Sequence, residues 1–156
     1  MKTLLLAASI ALTASSAFAA DWTYSFNKDP LTDVEKHDMM AINDRDNVLD
    51  MRCTSIDKEP SLNWANGGIG HIADNLYDIK VRIDGGDIQT VKAFGTSTSG
   101  YVIFIIDISL IDGFHDAEQI DLQAKTDYKT FTQVYDFSKG AILSAYGELT
   151  EACDGN

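Results

Sequence analysis

Tyr77-Asp78-Ile79-Lys80-Val81-Arg82-Ile83-Asp84 sets four apolar residues at every second position, each followed by a charged one. Side chains of an extended strand alternate between two faces, so this pattern predicts a strand with one apolar and one wet surface. Asp84-Gly85-Gly86-Asp87 ends it with turn-forming residues. Ile88 to Phe94 and Tyr101 to Ile106 read as the next two strands, separated by a flexible Gly95-Thr96-Ser97-Thr98-Ser99-Gly100. The second of these is apolar throughout, which predicts a central strand covered on both faces.

Toward the N-terminus, Trp22 to Phe26 alternates aromatic and hydroxyl residues and reads as a strand. Asn27-Lys28-Asp29-Pro30 breaks it, because proline fixes φ and lacks a donor. Val34 to Ile42 fits either a short helix or a strand. After the polar turn Asn43 to Asn47, Val48 to Cys53 is a strand with Leu49, Met51 and Cys53 on one face. Leu62 to Ala65 is a short strand, and Asn66-Gly67-Gly68 a hairpin-type turn. Toward the C-terminus, Leu110 to Glu118 is irregular or a short helix, while Ile120 to Lys125 and Phe131 to Phe137 are strands. Ser138 then caps a helix whose stripe is Ala141, Ile142, Ala145, Tyr146 and Leu149. Some eight short strands and a terminal helix predict a mainly β fold, an antiparallel β-sandwich or curled sheet with a C-terminal α-helix.

The first nineteen residues stand apart. Lys2, the apolar run Leu4 to Leu12 and Ala17-Phe18-Ala19 make a signal peptide, too short to span a bilayer. The expected cut falls after Ala19, with Ala20 as the near alternative, leaving a single β-rich periplasmic domain over 20–156 and no transmembrane segment. Of 12 Lys and Arg, Lys2 leaves with the leader, so 24 acidic residues face 11 basic ones and the formal charge becomes −13. That charge repels phosphates and anionic lipid and excludes nucleic acid as a main partner. It favours basic proteins or divalent cations, and also plain solubility. The two cysteines, Cys53 and Cys153, form an even pair in an oxidising compartment, which predicts one disulfide.

Catalytic patterns are missing. His37, His71 and His115 have no second ligand at metal-binding spacing. Gly95 to Gly100 misses the nucleophile-elbow spacing, and Asn66-Gly67-Gly68-Ile69-Gly70 lacks the lysine and helix of a phosphate loop. Asp44-Arg45-Asp46-Asn47 and Asp84-Gly85-Gly86-Asp87 offer oxygen ligands but match no twelve-residue calcium loop. The expectation is a protein that is not an enzyme and has no cofactor or metal site. Trp22, Trp64, Tyr24 and Tyr77 are of the residue types that anchor partners. Core packing is the ordinary fate of Trp64 and Tyr77, whereas Trp22 fits either role.

Several short features occur in one order: Trp22, Asp29-Pro30-Leu31-Thr32-Asp33, Val48 to Cys53, Leu62-Asn63-Trp64, Val81-Arg82-Ile83-Asp84, Thr96 to Ser99, Phe137 to Ile142, and Cys153. This order resembles the VasI/TagO family of type VI secretion-associated periplasmic proteins and their uncharacterised relatives. The chain departs from that family's pattern at Asp29-Pro30-Leu31 and in lacking a tryptophan within Val91 to Gly95. The resemblance implies a non-enzymatic periplasmic accessory or binding protein whose partner is an envelope or secretion-system protein. It carries no catalytic residues. Within these motifs Trp22, Asp29, Asp33, Arg52 and Trp64 are the candidate partner contacts. The acidity supplies an alternative function, inhibition of a basic envelope-targeting enzyme such as a lysozyme.

Overall fold

A computed structural model describes residues 20–43, 45–67, 75–98, 101–125 and 129–154. The expected leader (1–19), Asp44, His71, Ser99, Gly100 and positions 68–70 of the glycine turn lie outside the described residues. Nine strands form one sheet in which every neighbouring pair is antiparallel: β1 (Thr23–Lys28), β2 (Glu35–Ile42), β3 (Val48–Thr54), β4 (Ser61–Gly67), β5 (Asn75–Ile83), β6 (Ile88–Thr98), β7 (Tyr101–Asp107), β8 (Gln119–Lys125) and β9 (Thr130–Asp136). Their order across the sheet is β1-β2-β3-β4-β7-β6-β5-β8-β9. One helix, α1 (Ala141–Asp154), follows. This is a mainly β fold with a C-terminal helix, and of the two expected arrangements it is the curled sheet.

The stretch that decides the fold behaves as its alternation requires. Tyr77, Ile79 and Val81 are buried on the inner face, while Asp78, Lys80 and Arg82 point outward. Leu49, Met51, Leu62, Trp64, Phe104, Ile106, Ile120, Leu122 and Tyr135 complete the inner face from the other strands. The segment Val34 to Ile42, open between helix and strand, is a strand because it lies between two partners, β1 and β3. His37, Met39 and Ala41 face inward from it.

Four sequence expectations need correction. Asn66 and Gly67 do not form a turn but end β4, paired with Val102 and Tyr101 of β7. Gly95 to Thr98 is not a loop but the end of β6, paired with Phe104 to Tyr101 of β7. Gly95 is buried directly opposite Phe104. β7 is the middle strand of the order, yet it is covered fully on one face only. Ile103 and Ile105 are half-buried, because among the described residues no second layer packs on the outer face. Ser138 is not the cap residue of α1. The Gly140 carbonyl accepts the first helical bond, from the Ser144 N–H at 3.0 Å, and Gly140 reaches the preceding turn through φ +76°. Leu110 to Glu118 resolves into part of one short 3₁₀ helix, Ile108–Leu110, and all of another, Phe114–Asp116.

The curl brings distant strands together inside. The Trp64 indole on β4 donates to the Gln133 side-chain oxygen on β9 at 2.5 Å, and the Tyr135 hydroxyl donates to the same oxygen at 2.7 Å. Burial pushes the Tyr135 hydroxyl well above the usual phenol range, so it stays protonated and a donor. At the seam the Ala20 N–H donates to the Asp136 carbonyl at 2.6 Å, the Asn43 amide donates to the Val134 carbonyl at 3.2 Å, and Trp22 stacks on Phe137. Helix α1 lies across β2 and β3, burying Ile142, Ala145, Leu149 and Cys153. Cys153 is bonded to Cys53, with the two Cα atoms 6.2 Å apart. Such a bond fits an oxidising compartment. Among the described residues no helix is long and apolar enough to cross a membrane.

Two outcomes follow. Replacing Cys53 and Cys153 with serine opens a 100-residue loop and should cost about 4 kcal/mol in urea-unfolding experiments. Gln133→Ala leaves two buried donors without their acceptor and should cost about 3 kcal/mol, while far-ultraviolet circular dichroism stays that of a β protein.

Candidate functional site

β1 and β2 form a hairpin whose turn is built by Asp29. Its carboxylate accepts the backbone N–H groups of Leu31 at 2.7 Å and Thr32 at 3.0 Å, which hold its pKa below the usual carboxylate value. The main chain closes the same turn through Asp29 N–H to the Val34 carbonyl and Asp33 N–H to the Asp29 carbonyl, each 2.9 Å. Asp33 occupies the left-handed region at φ +57°, which aspartate tolerates better than most residues. Lys28 sits between Asp33 at 3.5 Å and Glu35 at 3.3 Å.

This ordered turn holds Leu31 at its tip, 92% exposed. Along β1, Phe26 is 52% and Tyr24 46% exposed. Both rings lean on the buried His37 of β2: Tyr24 shares a 2.8 Å hydrogen bond with Nδ1, and the Phe26 centroid lies 5.1 Å from the imidazole. The His37 Nε2 atom is buried and has no hydrogen-bond partner among the described residues. The hairpin therefore presents three large apolar side chains on a backbone fixed by hydrogen bonds.

Of the candidate partner contacts, Trp22, Asp29 and Asp33 are gathered at the two ends of β1. Trp22 is half-buried against Phe137. Arg52 lies two strands away on the outer face. Its guanidinium donates to Asp38 through Nε and to Asp50 at 2.8 Å through a terminal nitrogen, and Lys36 adds a 3.6 Å contact to Asp38. Both carboxylates are almost wholly buried. Arg52 is thus committed to two intramolecular partners. Trp64 is fully buried and offers no surface to a partner, so its place is in the core.

Sequence reasoning singled out Tyr24 but passed over Phe26, Leu31 and His37. Leu31 carried a signal, since an apolar residue between Pro30 and Thr32 in a turn has no core to enter.

Other candidates resolve as fold chemistry. The Asp84 carboxylate accepts the N–H groups of Glu118 at 2.9 Å and Gln119 at 2.7 Å, tying the β5–β6 turn to the start of β8. In the polar turn after β2, Asn43 rather than an aspartate accepts the N–H groups of Arg45 and Asn47. Among the described residues no three His, Cys, Asp or Glu side chains converge as a metal site. A shallow depression of about 130 Å³ on the outer face is lined by Lys80, Arg82, Asp121, Gln123 and Thr132 among others. It falls below the roughly 300 Å³ of ordinary small-molecule sites. No protein-family model, curated protein or solved structure matches the chain.

Burial raises the Asp50 pKa, and Arg52 opposes that shift only in part, helped by Asn63 and Lys36, while Asp38 adds to the rise. A carboxyl titrating higher in the folded chain than in the unfolded one makes folding more favourable when protonated. That contribution is complete below the unfolded value near 3.8 and is lost as pH rises through the folded pKa. Asp50→Asn should therefore melt higher than the parent at neutral pH, with the advantage vanishing in acid. Thermal melts across pH check this; a variant less stable at neutral pH would contradict it.

Proposed function

We propose that the chain is a non-enzymatic binding protein of the bacterial envelope. It would be a periplasmic accessory protein of the kind the VasI/TagO resemblance implies, engaging its partner through the β1–β2 hairpin. One observation carries the reading: Leu31, Phe26 and Tyr24 stand exposed together on a hairpin whose turn is already ordered. Exposed apolar groups on a pre-organised element mark interaction surfaces, because binding buries them without a further ordering cost. The disulfide agrees with an exported chain.

The acidity favours a second reading, inhibition of a cationic envelope-targeting enzyme such as a lysozyme. Asp29 and Asp33 flank the exposed apolar groups, and such a field accelerates encounter with a basic surface in a salt-dependent way.

The test is capture from periplasmic extract by the tagged domain, beside a variant carrying Phe26→Asp and Leu31→Asp. Both positions are exposed, so the variant should fold. Loss of two anchoring side chains should weaken the captured partner by about 30-fold. A partner held equally by both proteins would refute the hairpin as the binding element. Lysozyme assays at low and high salt separate the second reading: inhibition confined to low salt supports it, and none at low salt removes it.

A further inference from the structure

The two edges of the curled sheet are treated differently. On β9, the outermost strand at one side, the Val134 and Asp136 carbonyls are taken by the Asn43 amide and the Ala20 N–H. On β1, the outermost strand at the other side, pairing runs along β2 only, and among the described residues no strand bonds its outer edge. All of Thr23–Lys28 is exposed apart from the half-buried Ser25. The usual guards of an open edge are an inserted proline, a bulge or a free lysine. Pro30 lies beyond the strand, and Lys28 is bound to Asp33 and Glu35 of its own hairpin.

We propose that β1 receives an extended segment of a cationic partner as a tenth strand. This rests on the binding reading above and names its mode and the partner's chemistry. Main-chain hydrogen bonds to the unpaired edge would supply affinity. Tyr24 and Phe26, two residues apart on one face, would select apolar side chains at alternate positions of the incoming strand. Asp21 precedes β1, and Asp29 and Asp33 follow it. The Asp29 carboxyl, held low by two backbone donors, carries its charge throughout the neutral range. Lysines or arginines at both ends of the segment would meet this charge. A second copy of the chain would instead bring the same carboxylates together, which disfavours self-pairing.

The experiment uses the processed chain and two synthetic decapeptides of equal charge. One alternates valine and threonine between terminal lysines, and the other replaces two central residues with proline. Fluorescence anisotropy at low and high salt gives affinity, and amide hydrogen exchange locates the contact. The alternating peptide should bind about tenfold tighter or more, because proline cannot donate to a ladder, and should slow exchange within Thr23–Lys28. Its binding should weaken with salt. Equal binding of the two peptides, no binding of either at low salt, or protection confined to other strands overturns the proposal. A protein that captures an envelope partner through Leu31 and Phe26 without protecting β1 keeps the binding reading and loses strand addition. Capture of no partner, with the alternating peptide still protecting β1, does the reverse.

Discussion

A sheet of nine antiparallel strands with one apolar face cannot lie flat in water; it must either stack on another layer or bend around its own side chains. The described residues offer one α-helix, enough to cover β2 and β3 but not the other seven strands. The sheet therefore curls, and the inner face becomes a core shared by strands far apart in the order. The Trp64–Gln133–Tyr135 group shows what this requires. An indole and a phenol from opposite parts of the sheet are both buried, and a single amide oxygen accepts from both. Polar atoms buried in such a place are costly unless paired. The disulfide holds the end of the helix on the sheet by fixing Cys153 to β3.

Period-two alternation made most of this legible beforehand. Where charges and apolar residues alternate, as from Tyr77 to Ile83, one face must be wet, and tertiary structure had little freedom to disagree. Where alternation failed, so did the reading. Gly95-Thr96-Ser97-Thr98 has the composition of a loop, and becomes strand only because β7 stands beside it with every rung available. Val34 to Ile42 fits two periods almost equally, and its partners on both sides decide between them. The cap of α1 was misplaced for a local reason: Ser138 is a favoured cap type, but a glycine able to adopt φ +76° two residues later moved the helix start.

The candidate site was legible in part, and for a different reason. Asp29 and Asp33 stand out as turn formers, and Trp22 as an aromatic near the start, so the ends of β1 could be found from composition. Which aromatics remain in solvent depends on where the helix stops covering the sheet. That boundary is set by long-range packing rather than by local pattern. Arg52 illustrates the opposite failure. It lies on the face where alternation predicts charge in water, yet it sits between two buried carboxylates.

The acidic surplus looks different once its members are placed. Asp29, Asp84 and Asp107 accept backbone N–H groups at turns or at the start of a 3₁₀ helix, and Asp38 and Asp50 hold Arg52. Several carboxylates thus have structural duties, but only those facing a cation are neutralised by them. An N–H donor fixes a carboxylate without removing its charge, and it favours the ionised form. Lys36 and Arg52 are drawn to the β2–β3 cluster and Lys92 to Asp78. At the β1–β2 hairpin Lys28 is shared by Asp33 and Glu35, and Asp29 meets the backbone donors of Leu31 and Thr32 and the Thr32 side chain, none of which carries a charge. Three carboxylates to one cation leave this end of the sheet negative. A segment added at this edge, as proposed, would therefore have to satisfy two demands at once, apolar contact along the strand and positive charge at its ends.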